Sequence, residues 1–342
     1  MRNFLVVGAG LAGISVAERI LQKGLTVRVV SNSKWPSSTR VATGMFNPIV
    51  FRRLNKTWMI DDVLPEMHSF YGQLENRLNT KLISNHAIFK HIGSEDYASF
   101  WNEKSHKSAF ESFLDPIESN YGKVNQAGMV DCPALITTYI EFLRSESCLD
   151  DSTFNFDELS QEGSGVVYKG LKYDHVIFCD GPYISKNPYF SWLPFKIAKG
   201  DWIVVETDEA LPDRIVNNVI NIIPLGAHRY KLSSTFEWET ESWKPNPEQI
   251  HTLLRAFLEI YPVAYKIIDH QSGLRPAASD RRPYLGRHPR LRYMSVFNGL
   301  GSKGVILAPY FSKHLIDHLV DATPLIKEVD IKRNIKRFQA AH

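Results

Sequence analysis

The opening stretch "FLVVGAGLAGISVAERI" constrains the fold more than any other part of the chain. Phe4 to Val7 are four apolar residues in a row, the pattern of a central parallel strand covered on both faces. Gly8, Gly10 and Gly13 follow in G-x-G-x-x-G spacing. From Ala12 to Leu21 the apolar residues recur at helical intervals, Gly24 closes the helix, and "LTVRVV" begins a second strand. In such a unit the first glycine makes a tight turn and the second lets the backbone approach a pyrophosphate. The third packs helix on strand, while N–H groups at the helix N-terminus meet the phosphate charge. A dinucleotide is therefore predicted on Gly8, Gly10, Leu11, Ala12 and Gly13. The acidic residue that ordinarily grips the ribose at the end of the second strand is missing. Ser31 and Asn32 stand there and offer hydrogen bonds without charge.

The totals narrow the class. A chain of 342 residues holds two domains, or one with a large insertion. A net charge of +3 is too small to announce nucleic acid as a partner. Cys132, Cys148 and Cys179 are scattered without C-x-x-C spacing, which fits a reducing compartment and argues against a disulfide framework or a zinc site. No run of 18 apolar residues exists. The apolar stretch after Arg2 carries glycines at fixed positions and no clear cleavage site, so it is not read as a signal peptide. The expected location is cytoplasmic. The twelve histidines form no H-E-x-x-H pattern, and no metal is expected. No internal repeat is visible.

A second glycine turn lies near the other end of the chain. "FNGLGSKGVILAP", Phe297 to Pro309, reads as a strand end, a turn with Gly299, Gly301 and Gly304, and an apolar run suited to a helix. Ser302 and Lys303 sit inside that turn. Between the two turns, "SSTRVATGMFNP" (Ser37 to Pro48) is a polar loop with Arg40, Thr43, Gly44 and Met45, able to offer backbone and hydroxyl donors. "GMVDCPALITTYIEFL" (Gly128 to Leu143) reads as a short strand through Val130, then an Asp131 helix start with Pro133 in its first turn. "LKYDHVIFCDG" is a buried strand running out through Cys179, Asp180 and Gly181. "LPFKIAKGDWIVVE" enters a strand-rich region, and "GLRPAASDRRPYLGRHP" precedes the closing turn.

In that order these segments resemble the FAD-dependent D-amino acid oxidase superfamily. The likeness is closest to its glycine oxidases over Gly273 to Leu319 and extends with gaps over nearly the whole chain. The chain is shorter than most members, chiefly between Ser145 and Gly170, and Cys179–Asp180 stand where small residues are usual. The resemblance implies an α/β fold with a discontinuous Rossmann-type domain binding FAD noncovalently. It implies that the closing turn and helix face the redox end of the flavin, where N–H groups and the helix dipole oppose negative charge. The expected cofactor contacts comprise both glycine turns, Ser31, Asn32, the Arg40–Met45 loop, Val130, Cys179 to Gly181 and Arg275.

Substrates of this family present a carboxylate, and Arg275 in "GLRP" matches the position that supplies a clamping arginine. A planar guanidinium suits both carboxylate oxygens. Lys303 falls where the related sarcosine oxidases place a carboxylate lysine, and Arg52 is a further candidate beside Arg53. The implied reaction is hydride transfer from an amine α-carbon, with dioxygen reoxidising the flavin to give hydrogen peroxide. No protein base is required if the amine binds neutral. The FAD-binding part is expected at 1–76, 127–190 and 266–342. The segments 77–126 and 191–265 are expected to form a largely antiparallel sheet, with Tyr230, Phe236 or Trp238 in the pocket and "PEQIHTLLRAFLEIY" as a helix beside it.

An alternative shares the chemistry. "TGMFNPIV", "FYGQL", "LGSKGVILAP" and the basic tail "DIKRNIKRF" also look like the FAD domain of the bifunctional tRNA wobble-uridine enzyme. That resemblance implies removal of a carboxymethyl group from a carboxymethylaminomethyl side chain, by a wide pocket with a basic rim. Two further readings are a flavoprotein without catalysis and a nicotinamide-dependent reductase, the latter disfavoured because no second nucleotide fingerprint is visible.

Overall fold

The computed structural model describes residues 2–238 and 240–341. The opening unit forms as the sequence predicts: strand Asn3–Val7, helix Leu11–Gln22 and strand Thr26–Val30, with Gly24 in a left-handed conformation just past the helix. Asn3–Val7 lies inside a six-stranded sheet. The order is Leu149–Asp150, Thr26–Val30, Asn3–Val7, His175–Phe178, Met294–Asn298 and Tyr284–Arg287. The first five strands run parallel and only Tyr284–Arg287 is antiparallel. His175–Phe178 and Met294–Asn298 are buried throughout, as a sheet covered on both faces requires.

The strand between the two glycine turns explains their proximity. Asn3–Val7 leads into the first turn, Met294–Asn298 into the second, and His175–Phe178 pairs with both. All three strands point the same way, so both turns and Cys179–Gly181 emerge at one edge of the sheet. The helices after the turns, Leu11–Gln22 and Gly304–Asp321, pack on each other and on Ile60–Leu78. Tyr71 on the last of these donates its hydroxyl to the carbonyl of Val305 at 3.0 Å. Helix Cys132–Ser145 starts as expected, with Asp131 accepting from the Ala134 N–H at 2.9 Å.

The second large sheet is antiparallel apart from one pair. Phe195–Thr207 pairs along its whole length with Tyr265–Ala278 on one side, and with Arg229–Ser233 and Glu237–Trp238 on the other. Asn221–Gly226, Ile215–Asn217, Ile88–His91 and Tyr121–Val124 continue the sheet, Ile88–His91 lying parallel to Ile215–Asn217. Helix Glu248–Leu258 buries Leu253, Ala256 and Phe257 against it. Two sheet memberships differ from the sequence-based division. Tyr265–Ala278, expected after 266 in the FAD-binding part, belongs to the antiparallel sheet because thirteen of its residues pair with Phe195–Thr207. Ile83–Asn85 joins Gly128–Val130 and Met45–Phe46 in a small sheet beside the Arg40–Met45 loop. Among the described residues no helix is long and apolar enough to cross a membrane, and no cluster of His, Cys, Asp and Glu could hold a metal.

Candidate active site

A cavity of about 790 Å³ is lined by residues from both large sheets, a size typical of cofactor and substrate sites. Its cofactor side is built from turns where side chains have no room. Gly8 has φ +101°, and a Cβ there would lie 2.5 Å from the Cys179 carbonyl oxygen. A Cβ on Gly13 would lie 1.8 Å from the Gly8 oxygen. Gly10 is different: a Cβ there meets only the Thr39 hydroxyl at 3.4 Å and otherwise projects into the cavity. The Thr39 Oγ1 accepts from the Leu11 N–H at 2.9 Å, and the Ser31 hydroxyl accepts from the Ala9 N–H at 3.1 Å. Ser31 thus braces the turn itself. Asn32 reaches Thr153 at 2.9 Å and also lines the cavity.

Most of the predicted cofactor residues converge. Gly8, Gly10, Leu11, Ala12, Ser31, Asn32, Arg40, Thr43, Gly44, Met45, Cys179, Asp180, Gly181, Arg275, Gly301, Ser302, Lys303 and Gly304 all line this one cavity. Three do not. Gly13 packs helix against turn, and Gly299, at φ +80°, faces Tyr284 and Ala278. Val130 holds the loop from behind, its N–H donating to the Gly44 carbonyl at 2.9 Å, and a Cβ on Gly44 would lie 1.9 Å from the Val130 oxygen. Burial pushes the Cys179 thiol far above its usual range, so it stays protonated. Burial also raises Asp180 to about 6, although the Asn187 and Asn298 amides, at 2.7 and 3.4 Å, oppose the rise.

The substrate side is organised around Arg275. Its Nη1 donates to the Lys199 and Thr235 carbonyls, both at 3.3 Å, and its Nη2 to the Ser234 hydroxyl at 2.6 Å. The Phe236 ring lies 4.3 Å from the guanidinium carbon. Gly200 makes the guanidinium possible, since a Cβ there would sit 1.9 Å from Nη2. Burial lowers Arg275 to about 10, with Asp201 opposing the shift, so it is cationic at neutral pH. An arginine has five N–H donors, and three serve the protein here. Among the described residues the other two meet no partner, and two is the number a carboxylate takes in a bidentate pair.

Lys303 is half-buried, lines the same cavity, and donates to the Thr57 hydroxyl at 2.7 Å. Burial, reinforced by Arg282, lowers its amine to about 8. Arg52 does not join them: it is exposed on the turn Phe51–Arg53 and is not part of the cavity lining. Of the aromatic candidates, Phe236 lines the cavity, Trp238 is exposed and Tyr230 is core, its hydroxyl bonded to Leu211. Sequence reasoning missed Thr39, Thr57, Gly200, Ser234 and Thr235. The one signal on offer was the lone glycine in "AKGDW", since glycine inside a strand marks a close approach by another group.

The residues present fit FAD. Turns that exclude side chains, two helix N-termini and a polar loop share one cavity with the Arg275 guanidinium. Comparison with known proteins agrees. The model of the family described as "FAD dependent oxidoreductase" (DAO) matches residues 3–318. The bifunctional protein ThiO/ThiG of Nostoc sp. PCC 7120 is 20% identical over 98% of this chain and 56% of its own length. Glycine oxidase of Pseudomonas putida is 26% identical over 39% of this chain and 38% of its own. The chain thus spans about half, or less, of the curated relatives it matches. Among solved structures, glycine oxidase from Geobacillus kaustophilus superposes with a TM-score of 0.75 at 17% identity, covering 97% of this chain and 98% of that one. Iminodiacetate oxidase from Chelativorans sp. BNC1 gives 0.74 at 19%, covering 96% and 98%, a likeness of fold. With its match running from the first strand almost to the end of the last long helix, the chain belongs to the DAO family of FAD-dependent oxidoreductases.

Proposed function

We propose that this oxidoreductase oxidises the C–N bond of an amine that carries a carboxylate, with dioxygen as the electron acceptor. The observation that carries the reading is Arg275, a half-buried cation on the cavity wall with two donors that meet no partner among the described residues. Bound noncovalently, FAD supplies the two-electron acceptor. The protein binds the carboxylate, fixes the α-carbon relative to the cofactor, and keeps water from the reacting centre. Overall, the amine, water and dioxygen give a carbonyl compound, the released amine or ammonia, and hydrogen peroxide. Relatives named as glycine and iminodiacetate oxidases support this substrate class.

The test is anaerobic loss of flavin absorbance on mixing the yellow protein with glycine, sarcosine, D-alanine, and D- and L-proline. Rapid bleaching by a free amino acid is the expected result. Arg275→Ala is expected to raise KM about 100-fold, as loss of a charge-assisted pair would, with FAD content unchanged. An unchanged KM would remove Arg275 from the site.

One observation favours a larger substrate. Val50, Val219 and Phe236 line the cavity and are exposed, Val219 at 73% and Phe236 at 58%. A site closed around glycine has no use for apolar groups facing solvent, whereas a carboxymethylaminomethyl uridine in tRNA extends past the mouth. Of the basic tail, Lys327, Lys332, Lys336 and Arg337 are exposed, while Arg333 pairs with Asp280 at 2.8 Å. Bleaching by that tRNA and by no free amino acid decides for this second reading.

A further inference from the structure

Asp201 takes no part in the chemistry above, yet its side chain is wholly buried on the strand Phe195–Thr207, and its Oδ2 has no hydrogen-bond partner among the described residues. A carboxylate is costly to bury, and packing alone gives no reason for one here. What it does is hold other segments. Its N–H donates to the Thr235 hydroxyl at 3.0 Å, and its carbonyl accepts from the Thr235 N–H at 3.1 Å. Its Oδ1 accepts from the Asn246 N–H at 2.7 Å and meets the His270 Nε2 at 3.0 Å.

The residues fastened in this way surround Arg275. The Thr235 carbonyl accepts from Nη1, the preceding Ser234 accepts from Nη2, and the following Phe236 covers the guanidinium. Arg275 sits on the strand paired with that of Asp201, opposite Ala198, and next to the space that Gly200 leaves open. Three of the four contacts that orient the guanidinium therefore come from a segment tied to the Asp201 main chain at Thr235 and, through Asn246, whose amide donates to the Glu237 carboxylate at 3.0 Å, to the Asp201 carboxylate.

We propose that Asp201 is a positioning residue for Arg275: its carboxylate holds the Asn246 N–H, and the Asn246 amide in turn holds Glu237, so the segment Ser234–Glu237 stays around the guanidinium and keeps its two remaining donors set for a carboxylate. This rests on Arg275 being the carboxylate clamp of the proposed function. Removing Asp201 leaves Arg275 present and charged but loosely oriented. Affinity for carboxylates falls while FAD stays bound.

The test uses the FAD-loaded protein and acetate, a carboxylate with no amine to oxidise, with Kd read from perturbation of the flavin's visible absorbance. Arg275→Ala should abolish acetate binding. Asp201→Ala should weaken it about tenfold at unchanged FAD content. Asp201→Asn, which still presents an oxygen to the Asn246 N–H, should stay within about threefold of wild type. Wild-type affinity in Asp201→Ala, or a loss in Asp201→Asn as large as in Asp201→Ala, would overturn the proposal. Should Asp201→Ala lose FAD or fail to fold, Asn246→Ala carries the test, because it removes the amide that joins the backbone held by Asp201 to Glu237. Weaker acetate binding in that variant supports the proposal, and unchanged binding overturns it. A wild-type protein that holds FAD but shows no acetate response would instead sink the carboxylate-clamp reading, and this proposal with it. Loss of response in Arg275→Ala alone would sink only the positioning role.

Discussion

The two glycine turns line one cavity from neighbouring strands, but they are built to different tolerances. The first is closed by backbone: Gly8 and Gly13 face carbonyl oxygens that cannot move without shifting the sheet. The second is closed by side chains. A Cβ on Gly304 would meet a methyl carbon of Leu11 at 2.9 Å, and one on Gly301 would meet Ala277 at 3.4 Å. Only the second turn carries an ionisable group, Lys303. The difference teaches that the first turn is a rigid wall of the cavity. The second is a packed but adjustable surface that brings the Lys303 amine to it.

The largest effect should come from Gly13→Ala, which places a Cβ inside van der Waals contact of backbone. A loss of about 3 kcal/mol or more in urea unfolding is expected. A near-neutral result would break the comparison at its rigid end. Gly10→Leu should leave the fold intact, since that position opens to the cavity, while bound FAD per chain drops at least about tenfold. Tight FAD binding by this variant would undo the assignment of the first turn. Gly304→Ala should cost only about 1 kcal/mol, because a leucine end can rotate away. Equal losses in Gly13→Ala and Gly304→Ala would erase the distinction between the turns.

The smallest effect concerns pH. Because burial and Arg282 lower Lys303 to about 8, its charge fades as pH rises through that value. KM for a carboxylate-bearing amine should rise severalfold between about pH 7 and pH 9, and Lys303→Met should flatten that limb. An identical profile in the variant would leave Lys303 without a role in binding. The stability sign is opposite. The unfolded amine keeps its proton to about 10.5, so between about 8 and 10.5 the unfolded chain binds more protons, and this group's contribution to stability grows with pH.

Much of the cofactor side was legible because its signals are local. The turn glycines, the Asp131 helix start and the Arg40–Met45 loop each sit within a few residues of the partners that explain them. Arg275 and Lys303 were legible through motifs around them. Arg52 lies outside the cavity because chain distance from the loop says little about direction: the backbone turns at Phe51–Arg53 and carries the side chain outward. The sheet membership of the strand near 266 was not legible for a related reason. The strand Tyr265–Ala278 takes its sheet from a partner about seventy residues earlier, and no local pattern names that partner.

The sequence by itself determined the opening strand–turn–helix, the family and the identity of the groups able to meet a phosphate or a carboxylate. These depend on backbone freedom at glycine and on charge, which belong to residue types. Only the tertiary structure decided that Gly200 makes room for Arg275, that Ser234 and Thr235 take three of its contacts together with Lys199, and that Asp201 ties them in place. Those contacts join residues about forty to seventy-five positions apart through strand register. Register is set by how whole strands pair and bury their faces, which no short window of residues contains.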